Sequence, residues 1–134
     1  MLNYKYVNVN PKNRKTGDCS TRAIVGAFGV DYDTALRLQY EAAYKTKYGI
    51  TDKQIIEYIA KQLGWVKMKQ PRKTNGKKYT VGEMDQVLTS KQMHQGVLIT
   101  VANHHTCITP DCRVQDIWDC RNMSVGNYYV KLGN

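Results

Sequence analysis

At Gly96-Val97-Leu98-Ile99-Thr100-Val101 the chain changes its period. From here on apolar residues fall in short β-type runs, 97–101, 105–109, 113–118 and 128–132, divided by the turn formers Asn103, Pro110-Asp111 and Gly126-Asn127. Upstream the spacing is helical. Ala23, Ile24, Ala27 and Phe28 recur from Cys19 until Gly29, which predicts a buried helix with small Gly26 permitting close packing. Asp33 opens a second amphipathic helix through Ala35, Leu36, Leu38, Tyr40, Ala42 and Ala43, stopped by Gly49. Thr51-Asp52-Lys53-Gln54 has the form of a capping box ahead of Ile55, Ile56, Ile59 and Leu63, and Gly64 ends that helix. Residues 2–9 alternate weakly around Tyr4, Tyr6, Val7 and Val9, as a strand or extended arm before Pro11. Residues 65–69 read as a short strand, 70–78 as a basic loop, and Thr80-Val81-Gly82-Glu83 as the start of another short helix. Helices first and sheet second predict an α+β fold, with N-terminal helices packed on a C-terminal antiparallel β-sheet, in one domain over residues 1–134.

A chain of 134 residues can bury a core without disulfides or metal. Apolar residues make up 42% and are spread through periodic segments, which excludes disorder, and no run approaches the ~20 apolar residues of a bilayer helix. Met1-Leu2-Asn3-Tyr4-Lys5 lacks the apolar core of a signal peptide, so a cytoplasmic address is expected. Cys19, Cys107, Cys112 and Cys120 are then expected as reduced thiols. Much of the net charge of +9 lies in residues 61–78, a stretch that holds Lys61, Lys67, Lys69, Arg72, Lys73, Lys77 and Lys78 and not one acidic residue. A nucleic acid or another acidic partner is one use for that charge, and solvation by water is the other.

Gly17-Asp18 delivers Cys19 to the first turn of the first helix. Unpaired N–H groups and the helix dipole favour negative charge there, which stabilises a thiolate. A thiolate nucleophile needs an imidazole, and a third group to hold the imidazole in the useful tautomer. If Pro110-Asp111 are the centre of a two-residue turn, Thr109 faces Cys112, Ile108 faces Arg113, and His105 falls opposite Asp116. Pro-Asp suits a type I turn better than the primed turns of tight hairpins, and a longer loop shifted by one residue substitutes His104 or Gln115. Asp119 is the alternative acid. The Cys19 amide and the side chain of Asn13, six residues upstream, are the candidate oxyanion donors. Zinc is the competing use of His104, His105, Cys107, Cys112 and Cys120, but Cys107 and Cys112 fit paired-ligand spacing only at its loose limit and no second pair accompanies them, so no metal or other cofactor is expected.

Asn13, Cys19, His105 and Asp116-Ile117-Trp118 together resemble the papain-like cysteine peptidases, whose members carry an amide six residues before the nucleophile, the cysteine at the start of the central helix, a histidine on a sheet strand, and an Asn or Asp followed by x-Trp. Asp18-Cys19 with Ala23 and Phe28-Gly29 is similar to the leader-processing peptidase domains of bacteriocin exporters, and the compact size to small papain-fold proteins of phages and bacteria. The resemblance implies a papain-like fold and cleavage of a peptide or isopeptide bond by a Cys19, His105, Asp116 triad, with Trp118 shielding the histidine–acid hydrogen bond. If the chain is phage-encoded, it implies action in the host cytoplasm. Family members usually carry Gln where Asn13 stands, and a longer histidine-to-acid interval. Transglutaminase-like acyl transfer uses the same order of residues, and a non-catalytic basic protein that binds nucleic acid or a host factor is the alternative from another class.

Overall fold

Four α-helices, one 3-10 helix and a six-stranded mixed sheet form the fold in a computed structural model that describes residues 1–15 and 17–133. The order is β1 (Asn3–Tyr6), α1 (Cys19–Phe28), α2 (Tyr32–Thr46), α3 (Lys53–Gln62), β2 (Trp65–Met68), the 3-10 helix Val81–Gln86, α4 (Ser90–His94), β3 (Val97–Val101), β4 (His104–Thr109), β5 (Arg113–Asp116) and β6 (Tyr128–Lys131). Across the sheet the strands run β1-β5-β4-β3-β6-β2. The expected all-antiparallel sheet is corrected at one edge, where β1 lies parallel to β5. Its flanks are tied by hydrogen bonds from Leu2 N to Gly82 O at 2.7 Å and from Val7 N to Asp116 O at 3.2 Å. The N-terminal segment thus covers an edge of β5 that would otherwise offer unpaired backbone groups.

Helix ends follow local chemistry. Gly29 takes the left-handed conformation at the end of α1, returning its N–H to Val25 O. The second helix stops at Thr46 rather than at Gly49, because Lys47 adopts φ 66° and closes on Ala43 O. At α3 the expected Thr51 box does not form. Asp52 is the N-cap, and its carboxylate accepts from Gly49 N at 2.8 Å instead of capping the helix. Capping boxes do form at Thr80 with Glu83 and at Thr89 with Gln92.

The sheet separates two apolar clusters. One face packs Ile24, Ile55, Ile56 and Ile59 of α1 and α3 onto Leu98, Cys107 and Tyr129. The other buries Val81, Met84 and Leu88 against Val97, Ile99, Ile108 and Val114. Gly26 sets how closely α1 approaches β4, because a Cβ there would overlap the Cys107 sulfur and crowd Gln115 and Thr109. That approach brings the first residue of α1 to the start of β4.

The β4–β5 hairpin differs from expectation by one residue. Thr109 pairs with Arg113, Ile108 with Val114 and Cys107 with Gln115. Cys112 takes φ 63° and donates its N–H to Thr109 O at 2.8 Å, so the loop holds three residues, Pro110, Asp111 and Cys112. A type I turn followed by a left-handed residue is the usual three-residue solution, and Pro-Asp suits its centre. Because strand side chains alternate, the added residue moves His105 to the face opposite Asp116 and puts His104 on the same face as the carboxylate.

Candidate active site

Asp18 caps α1 through its backbone, as Arg22 N donates to Asp18 O at 3.0 Å. Its side chain is spent elsewhere. The carboxylate forms a buried ion pair with Arg22 and accepts from Asn10 Nδ2 at 2.8 Å and from the Tyr32 hydroxyl at 2.9 Å. Among the described residues no side chain caps the helix, which leaves the amides of the first turn, at Cys19, Ser20 and Thr21, open to an anion.

Cys19 is half-buried at the head of α1, against the start of β4. His104 Nε2 lies 2.7 Å from Asp116 Oδ2, which fixes the proton on Nε2 and leaves Nδ1 for the sulfur. Asp116, 3% exposed, accepts from Ile117 N at 2.7 Å, stands 3.9 Å from Arg22 Nη2, and takes a weak contact at 3.6 Å from the Cys120 thiol. Trp118 covers the His104 ring at a centroid distance of 5.0 Å.

The electrostatics follow from this geometry. Burial disfavours the Cys19 thiolate, yet hydrogen bonding to His104 and His105 outweighs it and brings the pKa from the usual 9.0 down to about 5. Burial likewise disfavours a charged His104, but Asp116, Cys120 and Cys19 raise it from 6.5 to about 11. Asp116 is held below the ordinary carboxylate range, against its own burial, by the hydrogen bond to His104. At neutral pH the pair is therefore thiolate and imidazolium.

A cleft of about 680 Å³ opens beside this pair, lined by Cys19, His104 and His105 together with Thr51, Asp52 and Lys53. His105 does not meet Asp116, contrary to the hairpin register expected from sequence. Its Nδ1 lies 3.0 Å from Ser20 Oγ, because it faces α1. Asn13 sits in an exposed loop at φ 54°, its side-chain oxygen 3.3 Å from Asn8 Nδ2, and is not among the residues lining the cleft. Asp119 pairs with Arg121 at 2.8 Å on the surface and reaches neither histidine. Arg22 joins the site through both Asp18 and Asp116. The i, i+4 spacing from Asp18 was the visible signal, but only the folded chain brings Asp116 to the same guanidinium.

Among the described residues, His104, Asp116 and Cys120 are the group whose donor atoms converge, within 4.8 Å of one another. Those atoms already bond to each other, so an ion would have to displace the histidine–carboxylate hydrogen bond. Cys107 and Cys112 lie elsewhere, the first under Gly26 and the second 3.4 Å from His94 Nδ1. In the basic segment Lys67 pairs with Glu57, and Lys73 with Glu83 at 2.8 Å. Arg72 bridges to Lys78 across a turn. Among the described residues no helix is long and apolar enough to cross a membrane. No family model matches the chain, and no curated protein or solved structure matches it.

Proposed function

We propose that this chain is a papain-like cysteine peptidase or related thiol hydrolase acting on a peptide or isopeptide carbonyl, with Cys19 as nucleophile, His104 as the proton carrier and Asp116 as the group that orients it. The observation that carries this is the line from Asp116 through His104 to a half-buried thiol at an uncapped helix start, on the wall of a cleft. The Cys19 thiolate adds to the carbonyl carbon, and the carbonyl electron pair moves onto oxygen, where the open amide of Cys19 donates to it. As the intermediate collapses the C–N bond breaks, and His104 Nδ1 gives its proton to the departing amine. Water then attacks the thioester, losing a proton to the same nitrogen, and the thiolate is restored. Asp116 remains ionised throughout and stabilises the imidazolium.

The test is incubation with a peptide library and mass-spectrometric identification of new termini. Cleavage is expected from the wild type and absent from Cys19→Ala and His104→Ala; cleavage that persists in either variant refutes the assignment. Acyl transfer differs only in the acceptor, so products carrying an added amine would move the activity to that class. The basic segment favours one other reading, a binding protein for nucleic acid or an acidic factor through Lys67, Lys69, Arg72, Lys73, Lys77 and Lys78. Salt-sensitive binding that survives Cys19→Ala, without any cleavage, would support that instead.

A further inference from the structure

His105 is left over by that mechanism, and its surroundings are unusual. The residue is 9% exposed, it lines the cleft beside Cys19, and its Nε2 is buried without a hydrogen-bond partner. A buried ring nitrogen without a partner costs about 1–3 kcal/mol, so a fold that retains one keeps it for a group that arrives later. Ser20 Oγ lies 3.0 Å from the other ring nitrogen, Nδ1, and with its hydroxyl donating there Nε2 carries the ring hydrogen.

We propose that His105 is a second catalytic imidazole, whose Nε2–H, without a partner before substrate binds, donates to the oxygen that becomes negative when the Cys19 sulfur adds to a carbonyl. The proposal rests on the peptidase mechanism above and supplies the donor that Asn13, out on its exposed loop, does not. The carbonyl oxygen is two bonds from the Cys19 sulfur once the S–C bond has formed, which brings it into the cleft that Cys19 and His105 both line. No proton changes owner at His105: the S–C bond forms, the C=O π pair moves to oxygen, and the N–H gains that oxygen as its acceptor. His104 remains the group that gives up and takes back a proton. Ser20 acts through His105 and is a positioning residue.

The test compares His105→Leu, which deletes the donor, with His105→Gln, whose amide N–H falls near the position of Nε2–H, and with Ser20→Ala. Two probes are used on the full chain: iodoacetamide, which reports the thiolate, and p-nitrophenyl acetate, whose acylation burst reports addition to a carbonyl. The charged and titratable groups around Cys19 are His104 and His105 on β4, Asp116 on β5 and Cys120 behind His104, the N-cap Asp18 and Arg22 of α1, and Asp52 and Lys53 lining the same cleft, and all but His105 are kept in these variants. Loss of one oxyanion donor slows acylation by about 10²–10³-fold, so His105→Leu is expected to fall by that factor. The alkylation profile of that variant moves to higher pH while its alkaline plateau holds. His105→Gln is expected within about tenfold of wild type, and Ser20→Ala between the two variants. Wild-type acylation in His105→Leu overturns the proposal. So does an equal loss in Leu and Gln variants, which would mark a packing role. If wild-type Cys19 itself gives neither fast alkylation at low pH nor a burst, the peptidase reading falls; if it gives both and His105→Leu matches it, only this inference falls.

Discussion

Lowering the pH from 9 to 6 is expected to leave Cys19 reactive while an ordinary cysteine falls silent. With its pKa brought to about 5 from the usual 9.0, about nine-tenths of Cys19 is thiolate at pH 6, against about one part in a thousand for an unperturbed thiol, a gain of about 900-fold. An acidic thiol is also a weaker nucleophile. With a Brønsted slope of about 0.4–0.5, a fall of about four pKa units slows each thiolate by about 40- to 100-fold. The net advantage at pH 6 is then about 10- to 20-fold, and it vanishes near about pH 7 before reversing. The assay is carbamidomethylation by iodoacetamide from pH 4 to pH 10, followed at each cysteine by peptide mass mapping, beside a short unstructured cysteine peptide. Partial burial of Cys19 lowers the whole curve without changing its shape. A single inflection near 5 with a flat limb to pH 9 is expected. An inflection between 8 and 9, with a rate at pH 6 far below the plateau, would refute the ion pair and with it the proposed chemistry.

Asp116→Asn removes the charge behind His104 at a bond of 2.7 Å, and since a hydrogen bond to a charged group contributes about 1.5–3 kcal/mol, the His104 pKa should fall from about 11 by about one to two units in an NMR titration, while the Cys19 inflection stays near 5 because the imidazolium is still present there; Asp119→Asn, on the surface with Arg121, should leave both in place. Stability should be flat between pH 6.5 and 9, because native thiolate–imidazolium and unfolded thiol–imidazole hold the same number of protons there. Below 6.5 the unfolded chain binds one more proton, so the contribution of the lowered thiol is lost as pH falls through about 5; above 9 the native state holds the extra proton, and the contribution of the raised histidine is lost as pH rises toward about 11. In Cys19→Ser the alkaline decline should begin near 6.5 instead of 9, and denaturant titrations across pH would show the plateau unchanged if the pair did not form. Gly26→Ala should cost about 1–3 kcal/mol by driving a methyl into Cys107, and Gly26→Ala with Cys107→Ala should recover most of it; equal losses in the single and double variants would mean that the close approach of α1 to β4 is not what the glycine serves.

Much of the fold was legible along the chain. The 3.6-residue spacing placed α1, α2 and α3 within a few residues, and the β-runs after Gly96 placed β3, β4, β5 and β6, because both depend on local periodicity and turn chemistry. The parallel edge strand was not, since the pairing of β1 with β5 joins segments more than a hundred residues apart. At the site the sequence marked Cys19 as a thiol at a helix start, and Asp116 as an acid close to a histidine. Which histidine could not be decided locally. His104 and His105 are neighbours on a strand, so one residue of register exchanges the face toward Asp116 for the face toward Ser20. That residue is Cys112, whose left-handed conformation lengthens the hairpin loop to three. Chain chemistry therefore pointed to a thiol, one of two neighbouring imidazoles and a carboxylate. Turn geometry and the close packing of α1 on β4 decided which imidazole each partner meets, because side-chain direction alternates at every step of a strand while the composition stays the same.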